Sequence, residues 1–523
     1  MRILPKKNFI NSHFFSLIVI VIFSISINFN YSKFGVFPID TFLHFDSAYR
    51  ILNNEYPVRD FWIVSGILVD FLQSIFFKIF GVNWFAYIFH SSFFNAMISL
   101  LTYYFMVNFN ISAFRALIYT LCFSTMAYTV SGTPFVDHHA VLFSLASIYL
   151  IILNFKKKNK YFWYFIVLFF YLSFFSKQVP VFYILILVGT FVSYILIKEK
   201  KIEEIKIILF STFIFLFLSL FSLGSLNIEL KDFYLQYIQY PKTIGDERLI
   251  NFDLSFESFF NKYKFIILPI ILIFLIKIKQ FKNKNIKLNT TDTKNLLIFF
   301  LYSLSLILHQ ILTKNQIFIY FLIPVIFALA EYELKMFKFK YNNLISVMIL
   351  TIVILITLKY HVRYNENRKF HELENVNFKF SLQAKKIDKS LQGLFWINPH
   401  FDGTVSEEVE LIKKAKIFLD SVDGEIMLIT HYLFLDSITK KKLNYPNRTF
   451  TYDGASMPVI KNNFKKNYKE FFIQKIKKQN IKGVYFFKHE NIPEKIITDN
   501  LNKKCYSLRV NNLFNIYNIK CLY

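Results

Sequence analysis

The sequence predicts a multi-span α-helical membrane protein that ends in a smaller α/β domain, and three observations carry that expectation. Hydrophobic residues fill 54% of the 523 positions, with 67 Phe and 32 Tyr against 12 Gly, and mean hydropathy is +0.39. Such a composition excludes disordered and fibrous classes. Apolar runs close to the ~20 residues that cross a bilayer recur as far as residue 361. Lysine-rich stretches separate those runs instead of forming one patch.

The spans are read in order. Residues 1–12 carry Arg2, Lys6 and Lys7 ahead of FFSLIVIVIFSISI. No small-residue cleavage site follows, so this run is taken as an uncleaved first span. Further runs lie at about 84–107, 113–131, 139–155, 161–175, 179–197, 207–223, 263–279, 295–313, 316–330 and 344–361, which makes about eleven transmembrane helices. Residues 63–80 mix Asp70 and Lys78 with Phe and Ile, the pattern of an amphipathic helix lying in the interface.

The formal charge of +26 would suggest nucleic acid on a soluble protein. Here it reports topology, and no nucleic-acid partner is expected. KKKNK at 156–160, KEKKIEEIK at 198–206, KIKQFKNKNIK at 277–287 and ELKMFKFK at 333–340 share one side with the N-terminus. The short connections on the other side, SGTPFVD at 131–137, SKQ at 176–178 and TKNQ at 313–316, carry two lysines between them. Lysine-rich loops stay in the cytoplasm. Residues 31–82, 131–138, 224–262 and 362–523 are therefore expected outside.

Two domains follow: 1–361, the transmembrane part with a first external loop at 31–82, and 362–523, an extracytoplasmic (periplasmic) α/β domain. In the second, LFWI at 394–397, EIMLIT at 425–430 and GVYFF at 483–487 read as strands. Thr404 and Glu407 form a capping box for a helix with Val405, Val409, Ile412, Ala415 and Leu419 at helical spacing. Cys505 and Cys521 flank two strand-like runs, so either a disulfide or two thiols fits; Cys122 lies in an apolar run. No glycine-rich phosphate fingerprint follows a strand, and no internal repeat is visible.

Candidate chemistry concentrates in DTFLHFDSAYRILNNEYPVRDFW at 40–62, which holds Asp40, His44, Asp46, Arg50, Glu55, Arg59 and Asp60. Ionisable groups beside a bilayer are expensive and mark sites of binding or catalysis. A carboxylate that takes a proton, with cations that hold a leaving phosphate, is the equipment for sugar transfer from a polyprenyl phosphate. Asp46 and Arg50, four apart, share a helix face. A solvated loop with ordinary ion pairs is the alternative.

HFDSAYRILNNEYPVRDFWIVSG resembles the first external loop of GT-C superfamily glycosyltransferases, the multi-span enzymes that use polyprenyl-phosphate sugars. The resemblance lies at His44, Asp46, Ala48, Ile51, Leu52, Glu55, Pro57, Arg59, Asp60 and Phe61. Val58 stands where relatives carry tyrosine, and Thr41 follows Asp40 where many have a second acid. The resemblance implies a GT-C-like fold in a bacterial inner membrane, a polyprenyl-phosphate-linked sugar as donor, and a glycan, lipid or protein acceptor. It implies transfer by direct displacement, with Asp46 as base and Asp40 next in line.

Around that loop, Arg50, Arg59 and Lys177 are expected to steady the phosphate, and Lys177 with Gln178 also matches bacterial members. Asp137 and His138 open a span; they support Asp46, hold a divalent cation with His44, or merely cap a helix. His44 and Asp60 complete the loop's binding set. Arg248 belongs to an outer stretch with Tyr234, Tyr237, Tyr240, Lys231 and Lys242, suited to a sugar-phosphate lipid or to an aromatic interfacial belt. A lipid-linked sugar flippase and a catalytically inactive GT-C-like scaffold are the rival readings.

Overall fold

The computed structural model describes residues 7–250, 255–282, 290–313, 319–337, 341–451, 456–458, 463–490 and 492–521. Arg2, Lys6, the lysines at 284 and 287, those at 338 and 340, and the corner at 314–316 lie outside the described residues. Among the described residues, nine helices are long and apolar enough to cross a membrane. Two further apolar runs, at 161–175 and 316–330, form the shorter helices Phe162–Ser176 and Leu322–Met336. Each of the eleven runs is thus helical. The protein is an integral membrane protein with a mostly helical, multi-span fold and a small C-terminal sheet region.

The chain divides into two compact units. The first comprises residues 1–32, 88–219 and 248–370, and holds the main hydrophobic core. Its central element is helix Val136–Lys157, whose apolar window is wholly buried and packs against Phe162–Ser176 and Thr290–Thr313. In an apolar surrounding, helices are joined by small residues and by buried side-chain hydrogen bonds. Asn28 Nδ2 donates to Ser91 Oγ (2.9 Å), Ser92 Oγ (2.8 Å) and Gly132 O (3.2 Å). Asn95 Nδ2 likewise donates to Ser24 O and Ser124 O. Gly132 has φ +74°, and a Cβ there would meet Ser32 Oγ at 2.7 Å, so only glycine fits.

The second unit comprises residues 33–87, 220–247 and 371–523. Its loop region contains helices Leu43–Leu52 and Leu68–Phe80, packed together through Phe45 and Phe77. The second of these is the amphipathic helix expected over 63–80. It buries Asp70 and Gln73 and exposes Ile75, Ile79 and Phe80.

The sheet region has strands β1 (Leu382–Gln383), β2 (Phe395–Trp396), β3 (Ile426–Ile429), β4 (Gly483–Phe487), β5 (Tyr506–Val510) and β6 (Phe514–Ile519). β1 and β2 form a small antiparallel pair. The four-stranded sheet has the order β3-β4-β6-β5, with β3 and β4 parallel and the rest antiparallel. A parallel pair requires a long crossover, and here the connection includes helix Lys465–Lys478. Helix Val405–Ser421 starts with the expected Thr404–Glu407 capping box. The buried Glu408 on that helix accepts from Trp396 Nε1 (2.8 Å), Asn398 Nδ2 (2.8 Å) and Tyr432 OH (2.7 Å), fixing three chain segments with one carboxylate.

Cys505 and Cys521 are joined by a disulfide that closes the β5–β6 hairpin, and Cys122 is a free, buried thiol. Closing a loop of 16 residues stabilises a domain by about 3 kcal/mol in the chain-entropy account. Replacing both cysteines by serine is therefore expected to lower the denaturant midpoint of the C-terminal sheet. Peptide mapping without reductant should recover one cross-linked peptide pair from the unaltered protein.

Candidate active site

In the second unit, helix Leu43–Leu52 presents His44, Asp46 and Arg50, all buried. Burying a guanidinium is tolerable only when its donors are paired. Arg50 donates to Glu55 Oε2 through Nε (2.8 Å) and Nη2 (2.8 Å), and to Tyr445 O through Nη2 (3.0 Å). Its carbon centre also lies 4.0 Å from the Phe61 ring centroid. Asp46 is left at 3.8 Å from Arg50 Nη1, and neither of its oxygens has a hydrogen-bond partner among the described residues.

This division sets the protonation of both acids. Burial raises the Asp46 carboxyl well above the usual range; Arg50 opposes this, while Asp436 and Glu55 add to it. Burial also pushes Glu55 up, but Arg50, Lys475 and Lys442 outweigh it and bring its carboxyl down to about 2. Asp436, which accepts from Leu443 N at 2.7 Å, is pushed up to about 6, mainly by burial. A buried carboxyl without hydrogen bonds and with a raised pKa is, once ionised, a stronger base than an ordinary carboxylate.

His44 forms a second arrangement. Its Nδ1 lies 2.6 Å from Asp70 Oδ1, and its Nε2 has no hydrogen-bond partner among the described residues. Burial lowers its pKa, with Asp70 opposing. Arg448 holds the other Asp70 oxygen at 3.3 Å and donates to Ser65 O and Gly66 O. Asn447 begins a formal glycosylation sequon, yet it is fully buried and bonded to Tyr468 OH and Met457 Sδ, so it is no acceptor. Asp40 lies on the short turn Pro38–Thr41, half-buried.

Farther along the loop, Arg59 grips Asp60 Oδ2 through Nε (2.7 Å) and Nη2 (2.6 Å). Lys478 approaches Asp60 Oδ1 at 3.4 Å, and Lys475 Nζ donates to Asp60 O at 2.6 Å. The loop's polar residues are thus brought together in three groups: Asp46 with Arg50, His44 with Asp70, and Arg59 with Asp60.

In the first unit, Asp137 and His138 stand in the first turn of helix Val136–Lys157. Lys177 is the extended residue between helices Phe162–Ser176 and Gln178–Ile184, and Gln178 opens the latter. Lys177 Nζ reaches both Asp137 oxygens at 2.7 Å, and His309 Nε2 lies 3.3 Å from Asp137 Oδ1. The Lys177 side chain keeps 19% exposure, against 6% for Asp137. His138 stacks on Tyr128, and Arg248 is exposed. Among the described residues, no group of three or more His, Cys, Asp or Glu is arranged to hold a metal ion, and the divalent cation considered for Asp137, His138 and His44 has no such ligand set.

Residues 64–223 match the profile of the dolichyl-phosphate-mannose-protein mannosyltransferase family. Over these residues the chain is similar to that family. The match is to membrane glycosyltransferases of GT-C type, which use lipid-linked sugar donors and glycan or protein acceptors. It spans less than a third of the chain and contains Asp137, His138, Lys177 and Gln178, whereas the loop at 40–62 precedes it. No curated protein matches the chain.

Sequence reasoning passed over Asp70, His309, Asp436, Arg448 and Lys475. Asp70 and His309 had a usable signal, each being an isolated ionisable group in a Phe-, Ile- and Leu-rich helix. Lys475 had none, since it sits among five other lysines of one helix.

The Asp436 shift has a checkable sign. A folded value near 6 against an ordinary 3.8 means that ionisation disfavours the fold; the penalty grows from about pH 4 and is complete above pH 6. Asp436→Asn, which keeps the acceptor for Leu443 N, should stabilise the protein by roughly 3 kcal/mol at pH 8 and by much less at pH 4.5. Denaturant unfolding at the two pH values measures the difference.

Proposed function

We propose that the protein transfers a sugar from a polyprenyl-phosphate donor to an acceptor hydroxyl at the extracytoplasmic face of its membrane. The family match over 64–223 supports the class of reaction. The observation that carries the residue assignment is the Asp46 carboxyl, buried without a hydrogen bond among the described residues, beside an arginine already committed to Glu55. In this reading Asp46 takes the acceptor's hydroxyl proton. A bond then forms from that oxygen to the anomeric carbon as the bond to the phosphate oxygen breaks, with inversion. The polyprenyl phosphate departs as the anion.

Arg50 acts by holding Asp46 and Glu55 apart in charge state, and so is a positioning residue. Lys177 is the proposed contact for the lipid phosphate: Asp137 and His309 fix its ammonium, and an ammonium is a compact point charge for phosphate. Arg59 and Gln178 are proposed as further donor contacts, with Asp40 as the reserve base. The Cys505–Cys521 disulfide favours residues 362–523 lying in an oxidising, extracytoplasmic compartment, because such bonds are rare in the reducing cytosol. A division into a membrane domain at 1–361 and an outer domain after it belongs to the same proposal.

A second assignment has its own observation, since Asp70 orients His44 and leaves Nε2 available. Membranes containing the protein, given labelled polyprenyl-phosphate sugars, separate the two. Asp46→Asn should lower transfer by about 100-fold or more, the range of a positioned general base, with the protein still in the membrane. His44→Gln should retain most of it. The reverse pattern moves the base to His44, and transfer that survives both changes removes the loop from catalysis. Lys177→Gln should raise the donor KM about tenfold, as loss of one charge-assisted contact does.

A further inference from the structure

The second unit contains a cavity of about 440 Å³, within the range of small-ligand sites, of whose lining the transfer chemistry uses Arg59 alone. Resting on the glycosyltransferase reading, we propose that this cavity is a subsite for the acceptor's saccharide, taking a neutral, hydroxyl-rich glycan. One wall is a single face of helix Lys465–Lys478: Phe471, Gln474, Lys475 and Lys478 recur at the spacing that aligns side chains on a helix. Asn227, Glu229 and Asp232 also line it, and the loop residues Val58, Arg59 and Asp60 complete the lining.

The walls are built before a ligand arrives. Arg59 is held by Asp60 as described and by the carbonyls of Leu226 (3.0 Å) and Asn54 (2.7 Å), with its carbon centre 4.7 Å from the Tyr56 ring centroid. Lys475 is 7% exposed, and its ammonium is anchored on Asp60 O. Burial, with Arg50 adding to it, pulls the Lys475 ammonium down to about 7. Val58 holds φ at +74°, a strained conformation for a β-branched residue, and strain of this kind gathers at binding sites. Its N–H donates to Phe61 O, and its carbonyl accepts from Gln236 Nε2.

Charge decides the class of occupant. An anion would face Glu229 and Asp232, and a cation would face Lys477 and Lys478. Among the described residues, none of Glu229, Asp232 and Lys477 is committed to an ion pair. Hydroxyl groups satisfy both signs of charge at once, donating to the carboxylates and accepting from the ammonium groups. The half-buried Phe471 ring offers an apolar surface for the C–H face of a sugar ring.

The test uses the full-length protein in lipid nanodiscs, without donor, titrated calorimetrically with mannotriose, chitotriose and inorganic phosphate. At least one trisaccharide should bind, and Asp232→Asn with Lys477→Ala, both exposed positions, should weaken it about tenfold or more at an unchanged melting temperature. Three results overturn the subsite: neither trisaccharide binds, the double variant binds equally well, or phosphate alone binds with the same sensitivity. Because binding is read without turnover, retained saccharide binding in an Asp46→Asn protein that has lost transfer separates this proposal from the assignment of the base.

Discussion

The buried guanidinium of Arg50 is the constraint on which the loop depends. A charge removed from water must be met almost completely, and breaking such a pair costs about 3–5 kcal/mol. Glu55 meets it at 2.8 Å, Tyr445 supplies a carbonyl, and Phe61 covers the guanidinium with its ring. These three contacts draw residues 50, 55, 61 and 445 around one point. They also explain how two acids within ten residues acquire opposite properties. Glu55 receives the positive charge at close range and stays ionised, while Asp46 receives it at 3.8 Å, without hydrogen bonds among the described residues, and resists ionisation.

The first unit meets the same difficulty by another route. Helix Val136–Lys157 is buried along its apolar window, so its charged opening turn needs partners from other helices. Lys177 supplies one because the chain is extended there: helix Phe162–Ser176 stops, and Val179 and Pro180 interrupt the restart. His309 supplies the other from helix Thr290–Thr313. Elsewhere in this unit serines and asparagines join the helices, and the first unit's core remains apolar around them.

Much of the architecture was legible in local patterns. Eleven apolar runs gave eleven helices because each run is long compared with one turn, and hydropathy is a property of the segment alone. The Thr404–Glu407 box marked its helix start for the same reason. The partners of the candidate residues were less legible. Asp70 is 26 positions from His44, and Tyr445 is 395 from Arg50; no local pattern joins them. The two-residue strands β1 and β2 were partly missed, since Leu382–Gln383 has no alternation to detect. Asp46 stood out through its neighbours and its resemblance to GT-C loops, but its lack of hydrogen bonds arises only when Glu55 takes the arginine.

Gln236 has a consequence of its own. It sits in a wide helical turn at Leu235–Gln239, and its amide donates to Val58 O while accepting from Ile63 N. One carboxamide thereby imitates an adjoining peptide group, pairing the Val58 carbonyl and the Ile63 N–H of this stretch. Evolution can exchange that glutamine only for a group with the same dual character. A glutamate of equal length offers two acceptors and no donor, so the turn would lose its brace on one side while keeping its shape in volume.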